Sequence, residues 1–124
     1  MIVPVTHEGN TKKSYLSFYN KECECHLKRY LESRKDLDSR LFILNESTQR
    51  EIFKRCSKIS SIKITPQILR KWFCCEMANL GVQDRYVDAF CGRVPQSVLA
   101  RHYTDYSPER LKEIYDKANI SVLS

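Results

Sequence analysis

Gln67 and Arg70 are the first two side chains whose types and spacing suggest chemistry. They lie three residues apart in TPQILRKWFCCEMANLG, residues 65–81, and on a helix this spacing lets both point at one ligand. An arginine guanidinium is planar, keeps its charge, and can hold two oxygens of a phosphate at once. A glutamine amide can donate a hydrogen bond to the same group, but it carries no charge and cannot act as a base.

The helix that would carry this pair has clear signals at both ends. Thr65 is a good N-cap, Pro66 fits the first helical position, and Gly81 fits a left-handed stop. The apolar residues of the segment share one stripe at helical spacing, which predicts its buried face: Leu69, Trp72, Phe73, Met77 and Leu80.

Further helices are predicted on both sides of this one. A helix of about fourteen residues follows the cap Asn20, and others run from about Ser47 to Lys58 and from Asp84 to Phe90. Pro95 is expected to open a short helix that carries Val98 and Leu99, with Tyr103 at or just past its end. The last helix, from Ser107 to about Lys117, opens with Ser-Pro-Glu.

Four short motifs in this region follow one another at compatible spacing. They are QILR at 67–70, CGR at 91–93, Tyr103 in RHYTD, and SPERL at 107–111. In this order they resemble the C-terminal part of a tyrosine recombinase (phage integrase) catalytic domain, of the fusellovirus type found in archaeal viruses and plasmids. The resemblance covers roughly residues 1–118. It implies an α+β fold that is mainly α-helical, with a small β-hairpin beside the helical core.

The resemblance also implies the reaction, which is site-specific DNA cleavage and rejoining through a 3′-phosphotyrosine intermediate. Tyr103 would be the nucleophile, and Arg70 would clamp the scissile phosphate. Arg93 stands where the family usually has histidine and would donate to a non-bridging oxygen. Gln67 stands where the family usually has histidine or lysine and would donate a hydrogen bond to the phosphate or the tyrosine.

The hairpin is predicted at the start of the chain. Residues 1–5 are β-like, 7–11 contain Gly and Asn and favour a turn, and 15–19 alternate well enough for a strand. The family places a lysine of such a hairpin in the minor groove, where it protonates the leaving 5′-hydroxyl. We assign that role to Lys12, with Lys13 as the alternative.

The family's first catalytic arginine, upstream of the hairpin, has no counterpart here, because no arginine precedes Lys12. We therefore interpret the whole chain, residues 1–124, as one tyrosine recombinase catalytic domain truncated at its N-terminal side; one piece of a split gene and a remnant are the alternatives. Cleavage by this chain alone is expected to be weak or absent.

The composition is compatible with a nucleic-acid partner. There are 21 Lys and Arg residues against 15 Asp and Glu, a net charge of +6 that favours a polyanion. The resemblance implies double-stranded attachment-site DNA, self-association into a tetramer on that DNA, the cytoplasm of an archaeal host, and no cofactor. The chain contains no apolar run of the ~20 residues that a membrane span needs, and no signal peptide is recognisable.

The six cysteines do not follow a metal-binding or disulfide pattern. No C-x-x-C pair is present, and Cys23, Cys25 and His26 form a local cluster that lacks a second ligand pair. Free thiols in a reducing cytoplasm, and no metal site, are therefore expected.

Alternatives remain at the level of both residue and function. Tyr106 and Tyr115 compete with Tyr103 as nucleophile, although Tyr115 lies at core spacing with Leu111. The chain could be a non-catalytic integrase remnant that binds DNA without cutting it. A type IB topoisomerase-like enzyme, which shares the chemistry, is a further alternative.

Overall fold

Helices account for the regular structure of the part of the chain that the structure describes. The computed structural model describes residues 16–93 and 95–123. Over these residues the helices are α1 Lys21–Ser33, α2 Glu46–Ser60, α3 Pro66–Asn79, α4 Asp84–Phe90, α5 Val98–His102 and α6 Pro108–Ala118. Five of them begin within two residues of the positions that the sequence predicts, and α4 has the predicted bounds, so the mainly helical class is confirmed.

Local signals fix the ends of α3 and the start of α6. Thr65 Oγ1 accepts a hydrogen bond from the backbone N–H of Ile68 at 3.2 Å, and Ser107 caps α6 in the same way. Gly81 has φ +80°, which only glycine adopts readily, and its N–H donates to the carbonyl oxygen of Ala78 at 3.0 Å. The predicted cap and stop of α3 are confirmed.

The start of α5 differs from the prediction. Pro95 does not open the helix; Ser97 is its N-cap, and Ser97 Oγ accepts from the N–H of Ala100 at 3.0 Å. A serine hydroxyl satisfies one of the free N–H groups of a first turn, which a proline ring cannot do. Tyr103 follows the last helical residue, as expected.

The predicted β-hairpin is not seen in the described residues, which contain no strand. Residues 1–15, including Lys12 and Lys13, lie outside the described residues. Residues 16–19 form no strand, and only Leu16 takes part in an isolated bridge. The physical reason is side-chain packing: the Phe18 ring lies 5.8 Å from that of Phe90 and 5.4 Å from that of Tyr115, so this segment packs on helices.

The hydrophobic core of the described residues is small. Met77 of α3, Val87 of α4 and Ile120 of the C-terminal tail form it, with Phe73 packed against them. The predicted buried stripe of α3 is only partly right, because α3 presses a narrow face against α4. Three of its members stay 39–48% exposed: Leu69, Trp72 and Leu80.

Met77→Ala is expected to lower the free energy of unfolding by about 2–5 kcal/mol, because Met77 is fully buried and its truncation leaves a cavity. Urea unfolding followed by circular dichroism measures the change. Leu80→Ala is the matched control on the same helix, and its loss should be less than half as large, since Leu80 is 43% exposed. Equal losses would contradict this description of the core.

The C-terminal tail is tied to the first turn of α1. The Asn20 side-chain amide donates to the Ile120 carbonyl oxygen at 2.9 Å. The Glu22 carboxylate accepts from the Val122 N–H at 2.9 Å and from the Ser121 hydroxyl at 2.7 Å. These bonds hold the pKa of Glu22 at about 2. The tail therefore packs on its own chain, a point that the sequence leaves undecided.

Glu22→Ala is expected to release this tail, so that the Val122 and Leu123 amides lose their protection from hydrogen exchange. Acid should do the same in the wild type. The folded pKa lies below the ordinary value of 4.5, so the stabilisation is complete above about pH 4.5 and is lost as the pH falls towards 2. Glu24→Ala, which removes a carboxylate paired with Lys28 on the same helix, should leave both amides protected.

Candidate active site

Arg70 lies on the second turn of α3 and reaches across to the end of α4. Its Nη1 donates to the backbone carbonyl oxygen of Cys91 at 3.1 Å. Capping of α3 at Thr65 fixes where the helix begins, and the bond to Cys91 then holds one edge of the guanidinium. A guanidinium has five N–H donors, so most of them stay available to an anion.

Arg93 is placed by the turn that ends α4. Gly92 has φ +67°, and the Arg93 N–H donates to the Asp88 carbonyl oxygen at 2.9 Å, which closes the helix. The Arg93 side chain then returns to the same residue, with Nη1 2.9 Å from Asp88 Oδ1. This hydrogen bond is the main cause that raises the pKa of Arg93. Half of the side chain remains exposed.

The two arginines converge on Cys91. Arg70 bonds its carbonyl oxygen, and Arg93 follows it by two residues. Both guanidinium groups favour the ionised form of the Cys91 thiol, but burial and contact with Cys74 outweigh them and raise its pKa to about 11. The hydrogen bond from Arg70 and the chain position of Arg93 thus place both arginines near Cys91.

Gln67 is exposed on the first turn of α3, three residues before Arg70. Helical geometry puts these two positions on neighbouring parts of one face. No side-chain hydrogen bond of Gln67 is formed with any residue that the structure describes, so its amide can reach a bound ligand.

Tyr103 ends α5 and points its ring into solvent, with 76% of the residue exposed. Its N–H donates to the Leu99 carbonyl oxygen at 3.1 Å. The next residue ties this segment to α4, because Arg85 Nη1 donates to Thr104 Oγ1 at 3.3 Å. No hydrogen bond from a described residue reaches the Tyr103 hydroxyl. No hydrogen bond between described residues therefore joins the Tyr103 side chain to Arg70 or Arg93.

The competing tyrosines are both packed. Tyr106 lies edge-on to Tyr86, with ring centroids 6.1 Å apart, and burial raises its pKa. Tyr115 stacks on Phe18 and meets Phe90 edge-on at 5.6 Å, and burial raises its pKa as well. Among these three tyrosines, Tyr103 is the exposed one, and the other two are half-buried.

A cleft of about 320 Å³ opens beside Arg70. Its lining includes residues 16–18, where the described part of the chain begins, together with Phe90 and Cys91. Lys12, the predicted acid, lies outside the described residues, four positions before Leu16.

Asp88 and Arg85 are site residues that sequence reasoning missed. Asp88 pairs with Arg93, and Arg85 holds the segment that carries Tyr103. Both are charged residues of α4. The Asp88–Arg93 pair could have been predicted from the turn at Gly92, which brings Arg93 back towards the last turn of the helix. Nothing in the sequence indicates the contact between Arg85 and Thr104.

Two general features of the described residues bear on the site. None of the helices within 16–93 and 95–123 has the length and apolar character needed to cross a lipid bilayer. This part of the chain also contains no group of three or more His, Cys, Asp or Glu side chains placed to hold a metal ion.

Comparison with known families gives a match along nearly the whole chain: the family described as archaeal phage integrase matches residues 4–119. No curated protein and no solved structure matches the chain.

Proposed function

The chain belongs to the archaeal phage integrase family, and from that premise we propose that it is a tyrosine-type recombinase that integrates and excises viral DNA. A tyrosine cuts one strand and stays joined to its 3′-phosphate. The 5′-hydroxyl of another strand then displaces the tyrosine and rejoins the DNA. Four protomers on two attachment sites carry out the complete exchange.

The observation that best supports this proposal is the hydrogen bond from Arg70 to the Cys91 carbonyl oxygen, two residues before Arg93, with Gln67 one turn before Arg70 on α3. Strand cleavage without a metal passes through a pentavalent phosphorus that carries extra negative charge. Two fixed guanidinium groups offer that charge several donors at once. Losing one such donor typically costs about 3 kcal/mol in the transition state. Gln67 adds a neutral donor and no charge.

Tyr103 is the proposed nucleophile. Its phenolic oxygen forms a bond to phosphorus while the bond from phosphorus to the 5′-oxygen breaks. The phenol has a solution pKa of ~10, so the phosphate and its arginines must favour loss of the proton. The leaving 5′-oxygen takes a proton from Lys12. Four peptide units join Lys12 to Leu16 in the wall of the cleft beside Arg70, a span of at most roughly 14 Å.

Tyr103 must approach the arginines when DNA binds. The segment that carries it is suited to move, because α5 has five residues and buries none of them. Segments with few buried contacts open at low free-energy cost. The scissile phosphate, held by Arg70 and Arg93, would then meet the Tyr103 hydroxyl as the segment closes.

The duplex is proposed to lie along α2 and the start of α3. Arg50, Lys54 and Lys58 recur at four-residue spacing on α2, and all are exposed. Lys63 lies three residues before Pro66, where α3 begins, and lines the same cleft as Arg50 and Lys54. On this proposal, these basic side chains contact phosphates of the duplex.

The double variant Lys54→Ala/Lys63→Ala is expected to lower the salt dependence of DNA binding. If each lysine contacts one phosphate, the slope of log K against log salt should become less steep by about 1.8. Fluorescence anisotropy at several salt concentrations measures it. The control Lys21→Ala/Lys117→Ala removes the same charge elsewhere and should leave the slope unchanged. If both double variants changed the slope equally, the proposed DNA-binding surface on α2 and the start of α3 would be wrong.

A nicked suicide substrate tests the proposed function itself. In nicked duplexes that span the junctions of the integrated element, cleavage releases a short fragment that carries the leaving 5′-hydroxyl. Because this fragment diffuses away and cannot rejoin, even slow cutting accumulates as a protein–DNA adduct on a denaturing gel. The assay is run on the chain alone and with the arginine-bearing upstream segment of the family supplied. An adduct in either arm supports the recombinase. Its absence from both would leave the second candidate, a remnant that binds DNA without cutting it.

A further inference from the structure

Cys74 and Cys91 are the closest pair of thiols in the protein, and the DNA chemistry above makes no use of them. Their Sγ atoms lie 3.6 Å apart, across the contact between α3 and the end of α4. All six cysteines are free in this structure. Two sulfurs at this separation need to approach by about 1.6 Å to reach a disulfide bond length of ~2.05 Å.

We propose that Cys74 and Cys91 form a disulfide bond that links α3 to the end of α4, next to Arg70 and Arg93. Cys74 is four residues after Arg70, so both lie on one side of α3. Cys91 supplies the carbonyl oxygen that Arg70 holds. The bond would thus join the same two elements that the Arg70 hydrogen bond already joins.

The pair is isolated from other thiols that could compete. Cys75 is next in sequence but exposed, and Cys23, Cys25 and Cys56 are exposed on other helices. Cys91 is buried, with 9% of its surface accessible. An oxidant therefore reaches Cys91 through Cys74, the more exposed member of the pair.

The oxidation needs a low-molecular-weight disulfide such as oxidised glutathione. The Cys74 thiolate attacks one of its sulfurs, forms a mixed disulfide and releases one small thiol. The Cys91 sulfur then attacks the Cys74 sulfur and releases the second small thiol. Two electrons and both protein thiol protons end on the two small thiols. Intracellular disulfides, rare in most cells, are common in hyperthermophilic archaea, so an archaeal family can contain such a bond.

Oxidation is expected to raise the melting temperature. The bond closes a loop of 17 residues along the chain, and a loop of this length restricts the unfolded chain enough to raise Tm by roughly 10 °C. The reduced and oxidised forms of the full chain are compared by circular dichroism. Cys74→Ala should melt at one temperature under both conditions.

Thiol counting and peptide mapping identify the bond. The full chain is incubated with oxidised glutathione, unfolded, alkylated with N-ethylmaleimide and digested with trypsin. We expect two fewer alkyl groups than in the reduced protein, and a disulfide between peptide 72–85 and peptide 86–93. Because peptide 72–85 contains both Cys74 and Cys75, mass alone cannot assign the partner.

Matched variants make that assignment. Cys75→Ser should keep the linked peptides, and Cys74→Ala should lose them. Three outcomes would each overturn the proposal. They are six alkylated thiols after oxidation, a glutathione adduct on Cys74 that does not go on to a disulfide with Cys91, and linked peptides that persist in Cys74→Ala. None of these readouts uses DNA, so failure here would leave the recombinase proposal untouched.

Discussion

Tyr103→Phe is expected to abolish the covalent protein–DNA adduct while the protein still binds DNA. The change removes only the hydroxyl oxygen that would attack phosphorus. Loss of a nucleophile commonly lowers the rate by at least about 1,000-fold. Tyr103 is 76% exposed, so the substitution should not alter the melting temperature. Suicide-substrate gels measure the adduct, and fluorescence anisotropy measures binding.

Tyr106→Phe is the matched control, because it removes the same atom from a tyrosine three residues away. Its ring packs on Tyr86, and a Phe ring can keep that contact. We expect this variant to form the adduct at a rate close to wild type. If Tyr106→Phe eliminates the adduct and Tyr103→Phe does not, the two tyrosines have been assigned the wrong way round.

Arg70→Ala is the second change with a large expected effect. It should slow adduct formation by about 100- to 1,000-fold, because one of two charge-stabilising groups is lost from the transition state. Arg70→Lys should recover only part of the rate, since an ammonium group keeps the charge but loses the planar fork. Single-turnover cleavage at saturating protein separates this loss from weaker binding.

Two controls accompany the Arg70 variants. Arg29→Ala removes an exposed arginine of α1, far along the chain from the site, and should cleave at the wild-type rate. Arg70→Ala also removes a hydrogen bond to the Cys91 carbonyl oxygen, so its melting temperature must be measured. A fully folded Arg70→Ala protein that cuts at the wild-type rate would rule out Arg70 as the phosphate clamp.

The helices could be predicted from the sequence because their signals are local. The Thr65–Pro66 pair and Gly81 fix the ends of α3 through hydrogen bonds within four residues. The same is true of Ser107 at α6 and of Asn20 at α1. The predicted start of α5 at Pro95 is too early, because the N-cap is Ser97, whose hydroxyl accepts from the backbone N–H of Ala100.

Contacts between distant residues could not be predicted in this way. Charged side chains such as that of Arg34 are ordinarily exposed, but this one is 11% exposed and donates to the carbonyl oxygens of Asp38, Arg40 and Leu41. Similarly, nothing local indicates that Glu22 binds the tail about 100 residues away. Such contacts depend on how helices pack, which periodicity and caps do not specify.

The site was partly accessible to sequence reasoning for the same reason. The spacing of Gln67 and Arg70 on one helix is local and holds in the structure. The approach of Arg70 to Cys91, next to Arg93, depends on the packing of α3 against α4. The position of Tyr103 relative to the arginines stays a prediction, as does the role of Lys12, which lies outside the described residues.

Mass spectrometry of the trapped adduct tests the central proposal most directly. After nuclease and trypsin digestion, the remaining nucleotide should lie on the peptide HYTDYSPER, residues 102–110, which contains both Tyr103 and Tyr106. Fragmentation of this peptide locates the added mass. We predict that it is on Tyr103. A nucleotide on Tyr106, or on any residue outside this peptide, would contradict the assignment of Tyr103 as the nucleophile.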